Sequence, residues 1–246
     1  MQVEWVYSEL AAFYDKRADY SATALDRLVA AIGISEGSRV ADIGAGTAKL
    51  ALPIARRGFV VDAVEPNDEM RQFGIRNTRG QNVTWHDGTG ESTGLPSATF
   101  RLATFGSSFN VVDQSRSLRE VSRILMPRGW MACLWNHRDL DEPLQSAVES
   151  LIHAEIPGYQ YGDRRRDPTG TIGTSGLFSP TQFIEERFVA RVPTADYLDA
   201  YRSHATLQRQ AGPKFAGIIG KMADMLRSTA VLEVPYFTRI WYARLL

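Results

Sequence analysis

The chain has a single cysteine, Cys133, among its 246 residues. An intrachain disulfide is therefore impossible, and no Cys/His set has zinc-site spacing, so no metal is expected. Neither sign of charge is in excess: Lys plus Arg number 28, and Asp plus Glu also number 28. A nucleic-acid or anionic-membrane binder normally carries a basic surplus, so neither partner is expected. No apolar run approaches the ~18 residues of a membrane span. Glu4 and Glu9 precede the first base, Lys16, and no apolar leader core follows, so no secretory signal is read. These absences together point to a reducing cytoplasm. What is present is ordinary for a globular chain: 44% hydrophobic and 23% charged residues. That length and balance suit one domain with its own core, as a monomer or homodimer.

The apolar period alternates along the chain, which is the mark of an α/β fold. Residues 21–32 read as a helix, capped by Ser21, striped by Leu25, Leu28, Val29 and Ile32, and ended by Gly33. A short strand at 39–43 follows, then a helix at 47–57 that Pro53 should bend. Residues 59–64 are almost all apolar, as in a strand buried on both faces. A helix at 68–76 and strands at 82–86, 100–105 and 130–135 continue the pattern. A helix striped by Leu118, Val121, Ile124 and Leu125 precedes the last of these, and Pro127 and Gly129 terminate it. Four such alternations imply a parallel sheet with right-handed crossovers. Beyond Trp135 the pattern changes. Pro143 opens a helix, residues 157–180 read as a long loop of the kind that is functional or disordered, 187–192 read as a strand, two helices follow, and 231–244 closes the chain as an aromatic-rich strand.

The sharpest local signal is Asp42-Ile43-Gly44-Ala45-Gly46-Thr47, between a strand and a helix. Gly44 permits a tight turn, Gly46 lets a ligand touch the backbone, and N–H groups at the start of the next helix should face that ligand. Glu65 ends the following strand, where a carboxylate can accept from both hydroxyls of a ribose. A dinucleotide fingerprint would want a third glycine at position 49, which is Lys49. A nucleoside without a diphosphate is favoured over a nicotinamide dinucleotide, and an NAD(P)-dependent oxidoreductase is the weaker alternative.

From Phe13-Tyr14-Asp15 to Trp135-Asn136-His137-Arg138-Asp139 the sequence resembles the class I S-adenosylmethionine-dependent methyltransferases, in particular their small-molecule, type 11 group. Val-Ala-Asp-Ile-Gly-Ala-Gly-Thr (40–47) matches the first motif and Val-Glu-Pro-Asn-Asp-Glu-Met (64–70) the acidic second. Gly-Thr-Gly-Glu-Ser-Thr-Gly-Leu-Pro (88–96) resembles the adenine-side segment, and residues 118–129 match the helix and turn before the fifth strand. The resemblance implies a Rossmann-like, mostly parallel seven-stranded sheet with helices on both faces, its last strand antiparallel and inserted before the sixth, plus a helical and loop cap. It implies S-adenosyl-L-methionine as cofactor and a small-molecule acceptor. Asp42, Gly44, Ala45 and Gly46 would hold the methionine part, Glu65 with Pro66 and Met70 the ribose side, and Thr89, Gly90 and Glu91 the adenine edge. Gly106 would line the methionine side. Ala48 replaces a third family glycine, which is mild if it enters a helix. Ser107-Ser108-Phe109-Asn110-Val111 stands where many relatives have a His-Trp pair, which implies an acceptor different from theirs.

The implied organisation is a helical lid at 1–35, a cofactor core at 36–136, a substrate cap at 137–185, and C-terminal strands and helices at 186–246. An activated methyl needs in-line alignment and exclusion of water; some acceptor atoms also need a base. His137, Tyr14 and His204 are the candidates for catalysis, with a polar loop residue as the other reading of His137 and packing as that of Tyr14 and His204. Tyr20, Asn110, Arg138 and Tyr201 are candidate acceptor contacts. Arg164, Arg165 and Arg166 form either a solvated face or a cap that recruits an anion such as a carboxylate or prenyl diphosphate. Cofactor binding without transfer is a further reading, supported by the altered Asn110 segment. Cys133 is read as an inert buried thiol.

Overall fold

The computed structural model describes residues 11–161 and 166–246. Seven strands form one sheet in the order β3-β2-β1-β4-β5-β7-β6. They are β1 (Arg39–Ile43), β2 (Val60–Val64), β3 (Val83–His86), β4 (Phe100–Gly106), β5 (Leu125–Arg138), β6 (Gln182–Pro193) and β7 (Val231–Arg244). The first five run parallel; β7 lies antiparallel between β5 and β6. The strand order reverses at β1, whose neighbours are β2 and β4. In open parallel sheets such a reversal leaves a crevice at the carboxyl ends of the strands.

The helices are α1 (Ala11–Tyr14), α2 (Ala22–Ile32), α3 (Ala51–Ala55), α4 (Asp68–Asn77), α5 (Gln114–Ile124), α6 (Pro143–Glu155), α7 (Thr169–Thr174), α8 (Thr194–Arg202), α9 (Ala205–Ala211) and α10 (Phe215–Leu226). Alternate side chains of the central strands feed two cores. Val40, Val61 and Ala63 pack with α2 and α3 on one face. Ala41, Ile43 and Val64 pack with α5 and α7 on the other. Every central strand is thus buried on both sides, which is why its sequence is nearly all apolar. Asp62 is one exception: it is buried in β2 and held by Arg39 and His86, each at 2.8 Å. A third core joins α6, α8, α9 and α10 to Leu232, Val234 and Tyr236 of β7. The helical layer beside the sheet therefore draws on both sides of the expected boundary at 185.

The helix ends follow their caps. Ser21 Oγ accepts from Ala24 N, and Gly33 closes α2 in the left-handed conformation at φ 62°. Asn67 caps α4, Asp113 caps α5, and Glu142 caps α6 with Pro143 in its first turn. The helix expected over 47–57 is shorter. It spans Ala51–Ala55, so Pro53 sits in the first turn, where its missing N–H removes no helical bond. Residues 47–50 form a turn instead, and Ala48 has φ 75°. Ala48 therefore does not enter a helix; it holds a backbone shape that glycine adopts far more easily. Leu125 belongs to β5 rather than to the preceding helix. It pairs with Phe100, and the register then jumps so that Leu102 meets Trp130, with Pro127 and Gly129 in the excursion between. The loop expected over 157–180 contains α7, and the strand expected over 187–192 begins at Gln182.

One close contact sets the position of α4 over β3. A Cβ built on Gly74 would lie 2.0 Å from Trp85 Cη2. The indole cannot swing freely, because its Nε1 donates to Thr78 Oγ1 at 3.0 Å, and that hydroxyl donates to Gly74 O at 2.8 Å. Gly74→Ala should destabilise the protein by about 1–2 kcal/mol, overpacking outweighing the gain in helix propensity. Urea denaturation measures it; a more stable variant would show that Trp85 yields.

Candidate functional site

The carboxyl ends of β1, β2, β4 and β5 open into a cleft of about 720 Å³, within the range of small-molecule sites. The glycine turn forms its floor. Gly44 (φ 68°) and Gly46 (φ 57°) are both left-handed. Gly44 N and Ala45 N donate to Val64 O at 2.8 and 3.0 Å, tying the turn to β2. Gly46 N donates to Glu65 Oε2 at 2.9 Å, and Asn67 N donates to Glu65 Oε1 at 2.9 Å. The N–H groups expected to face a ligand were those of a helix starting at Thr47, and that helix starts at Ala51 instead. The N–H groups of Gly44, Ala45 and Gly46 are spent inside the protein, and Lys49 pairs with Asp19 at 2.9 Å. The turn is therefore not a phosphate cradle, which counts against a dinucleotide diphosphate.

The turn offers carboxylates instead. Glu65 lines the cleft with one hydrogen bond to each oxygen, so each keeps acceptor capacity. Burial raises its carboxyl above the ordinary range, while the Asn67 and Gly46 amides hold it back. Asp42 is fully buried at the end of β1. Its Oδ1 accepts from Thr104 Oγ1 at 2.8 Å, and its Oδ2 is buried with no hydrogen-bond partner. Burial pushes Asp42 up to about 7, against the pull of the Thr104 hydroxyl and of the Ala51 backbone amide, and the neighbouring Glu65 adds to the rise. A buried acceptor without a donor, on the wall of a cleft, is what a ligand's polar or cationic group would complete.

The remaining walls come from distant parts of the chain. Tyr14 and Met70 approach Gly46: a Cβ there would lie 3.2 Å from Met70 Cε and 3.9 Å from Tyr14 Cε1. Pro66, Thr89, Gly90 and Glu91 line the side toward β3. Gly90 has no room for a side chain, since a Cβ would lie 2.7 Å from Val112 Cγ1. Glu91 Oε1 accepts from Asp113 N at 2.6 Å. Past Gly106, Ser107 adopts φ 61° and shares a 3.0 Å hydrogen bond with the Tyr20 hydroxyl. Burial raises the Tyr20 phenol. Trp135, Asn136, His137 and Arg138 of β5 extend the cleft toward Tyr161, Ala200, His204 and Tyr236.

Several expectations need correction. Asn110 does not line the cleft; its Oδ1 accepts from Trp135 Nε1 at 3.3 Å, so it holds a wall residue from behind. Tyr201 is buried under Arg138, whose guanidinium lies 4.1 Å from the Tyr201 ring centroid. Arg166 is exposed and not part of the cleft wall. Arg164 and Arg165 lie outside the described residues. His137 and His204 line the cleft, but their hydrogen bonds suit donors rather than bases. Arginine has no acceptor, so Arg239 Nη1 donates to His137 Nδ1 at 3.2 Å. Leu207 N donates to His204 Nδ1 at 3.2 Å, making His204 the cap of α9. With Nδ1 accepting, a neutral ring carries its proton on Nε2. Cys133 is buried, and burial pushes its thiol well up, so the inert reading is consistent with its surroundings. Among the described residues no cluster of His, Cys, Asp and Glu could hold a metal, and no helix is long and apolar enough to cross a membrane.

Sequence reasoning missed Tyr161, Ala200 and Tyr236. They come from separate elements far along the chain, and no local motif marks them. Ser107, Ser108, Trp135 and Asn136 were legible only as members of quoted segments.

Comparison with known proteins agrees with this geometry. A family model described as a methyltransferase domain matches residues 41–133. The chain is similar to an uncharacterized methyltransferase of Mycobacterium tuberculosis, 34% identical over 132 residues that cover 54% of this chain and 52% of that protein. It thus spans about half the length of that relative. It is also similar to the ubiquinone/menaquinone biosynthesis C-methyltransferase UbiE of Caulobacter vibrioides, 30% identical over 173 residues, with 63% of this chain and 68% of that protein covered. Among solved structures, one from Anaeromyxobacter dehalogenans described as a type II methyltransferase has a TM-score of 0.64 at 23% identity, covering 94% of this chain and 98% of that one. That likeness shows the fold. With the family model, the similarity to UbiE and the sheet order in agreement, the chain belongs to the class I S-adenosylmethionine-dependent small-molecule methyltransferases.

Proposed function

We propose that this protein transfers a methyl group from S-adenosyl-L-methionine to a small-molecule acceptor. The observation that carries the reading is Glu65, whose carboxylate lines the cleft beside Gly46 with acceptor capacity left for the ribose hydroxyls. Asp42 Oδ2 supports it, as a buried acceptor for the methionine part. Val111, Val112 and Gly90 offer an apolar slot of the kind an adenine ring fills. When bound, the cofactor supplies a methyl already activated by its sulfonium charge. The chain's own part is to hold the acceptor in line and to exclude water. Tyr14 and Met70 approach Gly46, and Ala18 and Tyr20 line the same cleft.

The acceptor would occupy the half of the cleft walled by Trp135, His137, Arg138, Tyr161, His204 and Tyr236. Arg239 and Leu207 N already engage Nδ1 of His137 and His204, which favours an acceptor atom that arrives nucleophilic and needs no strong base, such as one belonging to an anionic metabolite.

Glu65→Ala should weaken binding of S-adenosylhomocysteine by about 1–3 kcal/mol, from lost charge-assisted hydrogen bonds. Titration calorimetry measures it, with NAD(H) as the control ligand that should not bind. An unchanged affinity would remove Glu65 from the site; absence of S-adenosylhomocysteine binding at millimolar ligand would end the whole reading. A cofactor-binding protein without turnover remains distinguishable by an acceptor screen under saturating cofactor.

A further inference from the structure

Three cations line the cleft among the described residues: Arg17, Lys49 and Arg138. Arg17 donates to Ser203 Oγ at 2.9 Å and to Ser203 O at 2.7 Å. Lys49 pairs with Asp19. Arg138 differs from both. It ends β5, directly across from Tyr236 of β7, and its Nε is buried with no hydrogen-bond partner. Its guanidinium lies 4.1 Å from the ring centroid of Tyr201 and 5.5 Å from that of Tyr197. Aromatic faces attract a cation but replace only part of the water it has lost. A buried guanidinium nitrogen without an acceptor is costly to keep, unless a ligand completes it.

We propose that Arg138, set against Tyr201 and Tyr197, is the anchor for a single carboxylate on the acceptor. One guanidinium fork matches one carboxylate in charge and in geometry. A diphosphate brings more than one negative charge to a cleft that already contains Asp42 and Glu65, and Arg17 and Lys49 are engaged elsewhere. The balance of charge therefore selects a carboxylate over a diphosphate. The tyrosines behind Arg138 fix the plane of its fork, so the subsite orients the acceptor as well as attracting it. This inference rests on the methyltransferase reading only in assigning the carboxylate to a methyl acceptor.

The test uses the full chain, titrated by calorimetry with and without saturating S-adenosylhomocysteine. The probes are acetate, benzoate and octanoate, each beside its neutral amide, with inorganic pyrophosphate as competitor. In the native protein at least one carboxylate should bind more tightly than its amide. Arg138→Gln should weaken that carboxylate about tenfold or more, the scale of a lost charge-assisted pair, and leave the amide unchanged. Arg138→Lys should fall between the two. Affinity for S-adenosylhomocysteine should stay within about twofold in both variants, which shows that the cleft is folded. Carboxylates that fail to bind, that bind Arg138→Gln equally well, or that bind no better than their amides would overturn the assignment. So would pyrophosphate binding more tightly than every carboxylate through Arg138. Arg138-dependent carboxylate binding in a protein that does not take S-adenosylhomocysteine would sustain the subsite while removing the methyltransferase reading.

Discussion

The ligand-free protein should lose stability as pH rises from about 5 to 8, and Asp42→Asn should largely flatten that loss. Asp42 is raised from an ordinary 3.8 to about 7 in the folded chain, chiefly by burial. Between those values the folded state retains a proton that the unfolded chain has released, so stability falls as pH climbs through the window. About two decades of that gap lie between pH 5 and pH 7, at ~1.4 kcal/mol each, so the loss is on the order of 3 kcal/mol and levels once pH passes 7. Glu65 is shifted in the same direction, also by burial, and adds to the trend. Urea melts at pH 5, 6, 7 and 8 measure it, with Asp42→Asn separating the two carboxyls. A positively charged ligand group at Asp42 Oδ2 would pull its proton off. Affinity for S-adenosylmethionine should therefore rise with pH up to about 7, then level, with proton release visible in calorimetry across buffers of different ionisation enthalpy. If the native protein and Asp42→Asn show the same pH profiles for stability and for affinity, Asp42 is neither the buried acid nor a ligand contact.

The same carboxyl shows what the sequence could and could not disclose. Asp42, Gly44, Gly46 and Glu65 are legible because a strand, a two-glycine turn and an acid after the next strand are local features. Their chemistry is fixed by backbone shape and spacing. How their hydrogen bonds are shared was not legible. The motif suggested N–H donors at the start of a helix at Thr47, but that helix begins at Ala51, and in the turn itself Gly44 and Ala45 donate to Val64 O and Gly46 donates to Glu65. That exchange is tertiary, since it depends on β1 and β2 lying side by side. It leaves the floor of the cleft with a pair of carboxylates that suit hydroxyls and cations. The position of Pro53 in α3 has the same character: apolar spacing indicated a helix, but the proline sets where its first turn can begin.

The acceptor half of the cleft was the least legible. Arg138 was visible as the end of the fifth strand, but Tyr236 reaches it from a strand nearly a hundred residues later, through antiparallel pairing of β5 and β7. Asn110 and Tyr201 were sensible candidates by position. The structure turns one toward Trp135 and buries the other beneath Arg138. Position along the chain decided which residues were near the site, and side-chain direction decided which faced it. His204 shows the limit of helical spacing as a guide. Its place after Tyr197 and Tyr201 suggested a shared face, but α8 ends at Arg202 and the ring becomes the cap of the next helix.

Gly44→Ala should be the most damaging single methyl that can be added to the site, lowering stability by about 2–4 kcal/mol and weakening S-adenosylhomocysteine with it. Two costs combine. The residue sits at φ 68°, where an L side chain is strained, and its Cβ would lie 2.5 Å from Ser108 Cβ. Ser108 cannot step aside cheaply, because the atom met is its own Cβ and its hydroxyl donates to Ile43 O. The turn must move instead, and it carries the Gly46 amide that holds Glu65 Oε2. Gly94→Ala separates the two costs: Gly94 has a similar φ of 70° but nothing within 4 Å of an added Cβ, so only the backbone strain remains, about 1 kcal/mol. Ser108→Gly in the Gly44→Ala background removes the opposing Cβ, so the double variant should recover a good part of the loss relative to the two single changes. Equal losses for Gly44→Ala and Gly94→Ala would mean that the turn accommodates the methyl, and that the contact with Ser108 does not set the shape of the cofactor floor.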